Sequence, residues 1–217
     1  MKRSTLLAAA ALALAACVDN RSSIEILGRA VPSDLKACTY APGGTFQLGN
    51  GVYDVTLGGQ YSVVLYVQNN LVDPKTLNAN DVTSGNSWSV QAARVRLNPS
   101  DYVGAYQPSP ALASITGEAV LPAATSPIVA PAGGQATIYT GLLSDALVTA
   151  LQGVPAGGQV VLGVTLQGKT GDGAHLESGE WIFPLRVCSG CATAPTCATG
   201  TTLQPPCDGQ STALECK

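Results

Sequence analysis

Seven cysteines, a single histidine and fourteen carboxylate side chains are the residues with which this 217-residue chain could do chemistry. Cys188 and Cys191 stand at the C-x-x-C spacing used both by zinc sites and by thiol oxidoreductases. A zinc ribbon needs a second such pair, and Cys197, Cys207 and Cys216 do not supply one. A redox pair would open a helix, whereas 192–206 is rich in Pro and Thr and has no helical period. Structural disulfides are therefore expected. No Gly-x-Ser-x-Gly elbow, phosphate-cradling Gly loop or His-containing metal cluster is present.

His175 falls between two strand-like segments and reads as a solvated loop residue. Glu177 and Glu180 are close enough to suggest a carboxylate pair of the glycosidase kind, but exposed strand-edge carboxylates are the commoner reading. Asp172 sits in a Gly-rich turn without the further oxygen ligands that calcium needs. Trp88 and Trp181 lie on apolar strand faces and are expected in the core; as sugar platforms they would have to be exposed. The polar loop from Asp73 to Asn86 is the expected recognition surface. No catalytic residue, metal or cofactor is inferred.

Most segments around these residues carry a strand period. Apolar runs or alternation mark Ser23–Leu27, Thr45–Leu48, Gly51–Leu57, Gln60–Gln68, Trp88–Leu97, Ser114–Leu121, Gln135–Tyr139, Gln159–Gln167 and Glu180–Val187. Gln60–Gln68 is apolar on both faces and should be central in its sheet. In Trp88–Leu97 one parity holds Trp88, Val90 and Ala92 and the other Ala93, Val95 and Leu97, a phase change that predicts a bulge near Ala92-Ala93. Gln159–Gln167 should point Val160, Leu162, Val164 and Leu166 inward and Val161, Gly163, Thr165 and Gln167 outward. It pairs as a hairpin with Glu180–Val187 through the turn at Lys169–Gly173. Pro184 cannot donate a ladder hydrogen bond, so this last strand is expected at an edge or with Pro184 facing outward. Only Gly141–Leu151, with Leu143, Leu147 and Leu151 four apart, reads as a helix. The fold expected is mainly β, an antiparallel β-sandwich of immunoglobulin-like or jelly-roll-like kind with one short helix.

Composition narrows the classes of partner. Charged residues make up 12% of the chain and the formal net charge is −3, with no run of either sign. Nucleic acids and anionic membrane surfaces both demand a concentrated basic patch, so neither is expected as a partner.

The N-terminus carries Lys2 and Arg3 followed by an apolar run, Leu6–Ala16, too short to span a bilayer as a helix. This is a signal-peptide pattern. The residues that end it, Leu14-Ala15-Ala16-Cys17, resemble the lipobox of bacterial lipoproteins. That resemblance implies cleavage before Cys17 and acylation of its thiol, with Val18 in place of an inner-membrane Asp favouring the outer membrane. Six cysteines then remain: Cys38, Cys188, Cys191, Cys197, Cys207 and Cys216. Five lie in the tail and cannot all pair among themselves, so full oxidation tethers Cys38 to one of them, with Cys188 or Cys191 the expected partner.

The Cys-rich end, with Pro206-Cys207-Asp208-Gly209-Gln210 before Cys216, together with the lipobox resembles a group of myxobacterial lipoproteins of uncharacterised activity that end in a Cys-rich knot. The expected organisation is a signal peptide at 1–16, a lipidated tether at 17–22, a β-sandwich domain at 23–187 and a Cys-rich tail at 188–217. The expected role is that of a membrane-anchored, non-enzymatic envelope lipoprotein in structural or protein contact, with an envelope protein or a polysaccharide as partner. The alternatives are a carbohydrate or small-ligand binding module and a lipid-anchored hydrolase.

Overall fold

The computed structural model describes residues 22–34, 38–41, 43–72, 85–125, 127–152, 157–191, 199, 203–204 and 215–216. The leader, Cys17 and most of the loop from Asp73 to Asn86 lie outside them, as do the side chains of Cys197, Cys207 and Cys216. The strands are β1 (Ile24–Ala30), β2 (Phe46–Gln47), β3 (Gly51–Asp54), β4 (Ser62–Asn69), β5 (Trp88–Leu97), β6 (Gly117–Pro122), β7 (Ile128–Val129), β8 (Gly134–Gly141), β9 (Gly158–Thr170), β10 (His175–Glu177), β11 (Trp181–Cys188), β12 (Leu203–Gln204) and β13 (Glu215–Cys216). One helix, α1 (Asp145–Gln152), lies between β8 and β9.

Two sheets share one core. The smaller runs β2-β1-β4-β8 and is antiparallel throughout; the larger runs β3-β11-β9-β5-β6, with β10 beside β9 and β7 beside β5. Alternation of side chains sends Val63, Leu65 and Val67 of β4 inward against Val95 and Leu97 of β5, Leu162 and Val164 of β9, and Phe183 and Leu185 of β11. As expected, β4 is interior to its sheet, and its opposite face, Val64 and Tyr66, is buried as well. In β5 the register slips between Val90 and Ala92, leaving Gln91 exposed and unmatched, so the phase change in the sequence is a bulge one residue earlier than expected.

Four expectations about the sheets and the helix are corrected. The larger sheet is not antiparallel throughout, because β3 joins β11 in parallel, with Val52 opposite Arg186. That pairing also places β11 inside the sheet, and Pro184 is buried rather than at an edge. Val161, opposite Pro184, turns both its N–H and its carbonyl towards Asn98. The Pro184 nitrogen therefore faces the other way, towards β3, whose ladder begins only at Leu185. A missing donor there breaks no bond.

The third correction concerns β9, where Val161 and Thr165 are expected outward yet are 1% and 6% exposed. Arg94 of β5 lies opposite Thr165, and Glu180, held by Arg96, lies over Gly163, between Val161 and Thr165. The fourth concerns the helix, which begins at Asp145 and not Gly141. Gly141 still pairs with Ser62, Leu142 donates to the Tyr61 carbonyl, and Ser144 supplies the cap by accepting from Leu147 N–H through its hydroxyl.

Candidate functional site

The chemistry-bearing residues of the sequence fall in three places. On the outer face of the larger sheet, Arg96 of β5 grips Glu180 through Nε and Nη2 at 2.9 and 2.6 Å and Asp101 through Nη1 at 2.8 Å. Gly163 is its cross-strand neighbour on β9, and the absence of a side chain there leaves the room that the Glu180 carboxylate fills. Two strand positions along, Arg94 donates to Glu177 at 3.1 Å, and Gln167 donates to the other Glu177 oxygen at 2.8 Å. The hydrogen bond to Glu180, then that to Asp101, raises the Arg96 pKa, and Arg96 in turn holds Asp101 below the usual aspartate range. Glu177 and Glu180 are thus occupied by separate arginines. His175 is exposed, on β10 opposite Lys169, so it belongs to a strand and not to the expected loop.

Asp172 closes the turn after β9. Its carboxylate accepts from the Thr170 hydroxyl and the Ala174 N–H, which lowers its pKa, the hydroxyl contributing most. Both bonds lie within the turn itself, so the carboxylate serves loop geometry.

At the opposite end of β11, Cys188 and Cys191 are joined as a disulfide with Cα atoms 5.9 Å apart. Neither is therefore the partner of Cys38, which is itself disulfide-bonded; the expectation that linked Cys38 to one of them is corrected. A turn of only two residues lets the chain double back after β11, so closure within C-x-x-C is local. The parallel register sets Asp54 opposite Cys188, and the buried Asp54 Oδ1 accepts from Thr56 N–H at 2.9 Å, Thr56 Oγ1 at 2.7 Å and Gly190 N–H at 2.9 Å. Asp54 Oδ and the two sulfurs lie within 4.8 Å of one another. With the sulfurs bonded to each other and the carboxylate committed to three donors, the cluster clasps the start of the tail.

A fourth place was not among the sequence expectations. Of the segment between β1 and β2, Tyr40 packs on Val64 and Tyr66 at the outer face of the smaller sheet, and the Tyr66 hydroxyl accepts from Gly44 N–H at 2.7 Å and donates to the Ala41 carbonyl at 3.2 Å. On the far side, Ala123 N–H donates to Gln91 of β5 and Ala124 N–H to Tyr139 of β8, so this strap ties the two sheets together. Between them lies a cleft of about 590 Å³, floored by Val64 of β4 and by Thr137 and Tyr139 of β8, and walled by Cys38 and Tyr40 on one side and Thr125 and Pro127 on the other. Tyr139 is 37% exposed. Its signal was the alternation in β8, where Ile138 and Thr140 are buried and so send Thr137 and Tyr139 to the other face.

Trp88 and Trp181, the aromatics singled out in the sequence, are 0% and 8% exposed and belong to the core, Trp181 stacking on Phe183 at 5.0 Å between ring centres. No helix among the described residues is long and apolar enough to cross a membrane. Comparison of the chain with protein-family models, with curated proteins and with solved structures finds no match.

Proposed function

We propose that the chain is an exported lipoprotein, held at an envelope membrane through acylated Cys17, whose two sheets form a β-sandwich that works by contact and not by catalysis. The observation that carries the reading is Leu14-Ala15-Ala16-Cys17 directly after the apolar run Leu6–Ala16, in a chain whose Cys38, Cys188 and Cys191 are all disulfide-bonded. Disulfides persist outside the cytosol, and several acyl chains on one residue hold a protein stably at a bilayer. The non-catalytic half of the reading is supported by the pairing of Glu177 and Glu180 with Arg94 and Arg96. On this reading the tether 17–22 leads into the domain 23–187, the tail 188–217 packs on it, and the outer membrane is favoured by Val18. The partner is an envelope protein or polysaccharide.

Metabolic labelling with an alkyne palmitate in a Gram-negative host tests the anchor. The intact chain should incorporate label, fractionate with membranes and lose both properties in Cys17→Ala. An unlabelled, uncleaved chain with reactive thiols would overturn the reading.

A further inference from the structure

We propose that the cleft between Tyr40 and Tyr139 binds a neutral saccharide chain. The inference rests on the contact reading above and does not depend on the anchor. The cleft volume of about 590 Å³ lies within the range of small-ligand sites. Among the described residues that line it there is no carboxylate, amine, guanidinium or imidazole. Among these residues a phosphate, nucleotide or carboxylate ligand would lose its hydration without meeting an opposite charge. The lining instead combines two tyrosine rings, an apolar floor at Val64 and wall at Pro127, and the hydroxyls of Thr125 and Thr137.

That mixture suits a pyranose. One face of such a ring presents C–H groups, which pack on an aromatic ring, while its hydroxyls exchange water for the hydroxyls of Thr125 and Thr137. A wholly apolar ligand would instead cover those hydroxyls and leave them unsatisfied, at a cost on the order of 1–3 kcal/mol each. The site is also preformed. Val64 and Tyr139 face one another across the β4/β8 ladder, the Tyr66 hydroxyl clamps the segment that carries one wall, the Ala124 hydrogen bond to Tyr139 fixes the other, and Cys38 is covalently cross-linked. Little ordering is then required on binding. Exposure of Tyr139 and Thr125 leaves the cleft open to solvent along one side, as a chain longer than one sugar requires.

The test is calorimetric titration of the full chain as purified from its host, in micelles of a sugar-free detergent, with cellohexaose, maltohexaose and hexa-N-acetylchitohexaose. At least one should bind with a Kd of about 1 mM or tighter. Tyr139→Ala should weaken it about tenfold, as expected for loss of an aromatic contact. Tyr139→Phe should retain binding, and Tyr106→Ala, an exposed tyrosine elsewhere, should leave it unchanged. Saturation transfer between the sugar and the Tyr139 ring of the unaltered chain gives the same answer if Tyr139→Ala fails to fold. Absence of binding by all three sugars up to about 10 mM, or binding indifferent to Tyr139, overturns the proposal. So does preferential uptake of lauric acid at this site. Each outcome is independent of palmitate labelling, so failure of the cleft and failure of the anchor are separable.

Discussion

The side-chain amide of Asn98 takes the place of the next peptide unit for Val161. Asn98 N–H donates to the Val161 carbonyl at 2.7 Å, and Asn98 Oδ1 accepts from Val161 N–H at 2.8 Å. The residue sits at φ +46°, in the left-handed region that Asn tolerates better than most, so the main chain leaves β5 while the side chain finishes its ladder. Its Nδ2 then donates to the carbonyls of Leu112 and Ile115 at 2.8 and 2.9 Å, pinning the long loop before β6. Asn98→Ala should lower unfolding stability by about 2–4 kcal/mol, because one buried donor and two carbonyls lose their partners at once. Urea unfolding of the two proteins, compared at equal slope, is the check.

The arginine ladder predicts an acid-limb effect. Because Arg96 lowers the Asp101 pKa in the folded chain, the pair contributes stability above the ordinary aspartate value of 3.8, and this contribution is lost as pH falls through the lower folded value. Asp101→Asn should therefore reduce stability at neutral pH, with the difference from the unaltered protein closing in that acid window. In Arg96→Met the Asp101 carboxyl resonance should titrate at higher pH than in the unaltered protein. Urea unfolding at a series of pH values checks the first, and carboxyl titration by NMR the second.

Gly168 marks a position where two elements touch without a side chain between them. A Cβ there would collide with the Ser89 carbonyl oxygen and come within 2.7 Å of the Trp88 indole. The oxygen belongs to the neighbouring strand and cannot swing aside, so Gly168→Ala should destabilise by about 3 kcal/mol. Thermal unfolding followed by tryptophan emission should show a lower Tm and a red shift at Trp88.

Asp54 predicts the behaviour of the tail. Asp54→Ala removes the acceptor of three hydrogen bonds and should cost about 2–4 kcal/mol. Limited proteolysis should then cut sooner near Gly190, whose N–H is released.

Disulfide mapping separates local from long-range closure. Non-reducing digestion should give Cys188 and Cys191 linked to each other, and Cys38 linked to a peptide carrying Cys197, Cys207 or Cys216. A Cys38–Cys188 or Cys38–Cys191 peptide would contradict the structure.

Local readings held where the signal was itself local. The span Trp88–Leu97 is β5 without adjustment, since its alternation is written in neighbouring residues, while its bulge lies at Gln91, one residue before the expected Ala92-Ala93. The pairing of β9 with β11 was also legible, although Ser178 interrupts the return arm by exchanging hydrogen bonds with both the N–H and the carbonyl of Leu166. The cleft was not legible. Tyr139 differs from other alternating strand residues only in what lies across from it, and the walls come from segments about 100 and 14 residues away in the chain, brought there by sheet pairing. Trp88 and Trp181 are the conspicuous aromatics of the sequence by size, and their burial removes them from the surface.

The sequence by itself determined the longer strands, the inward set of β9 and the presence of an irregularity in β5, because a period of two and a Gly-rich turn act over a few residues. Tertiary structure alone decided that β3 lies parallel to β11, that Pro184 is buried without breaking a bond, that Cys188 closes on Cys191, and that Tyr139 faces an open cleft. Each of these depends on which distant strand edge or segment comes alongside, a choice made by the packing of the whole core and the closure of long loops, which no short stretch of residues encodes.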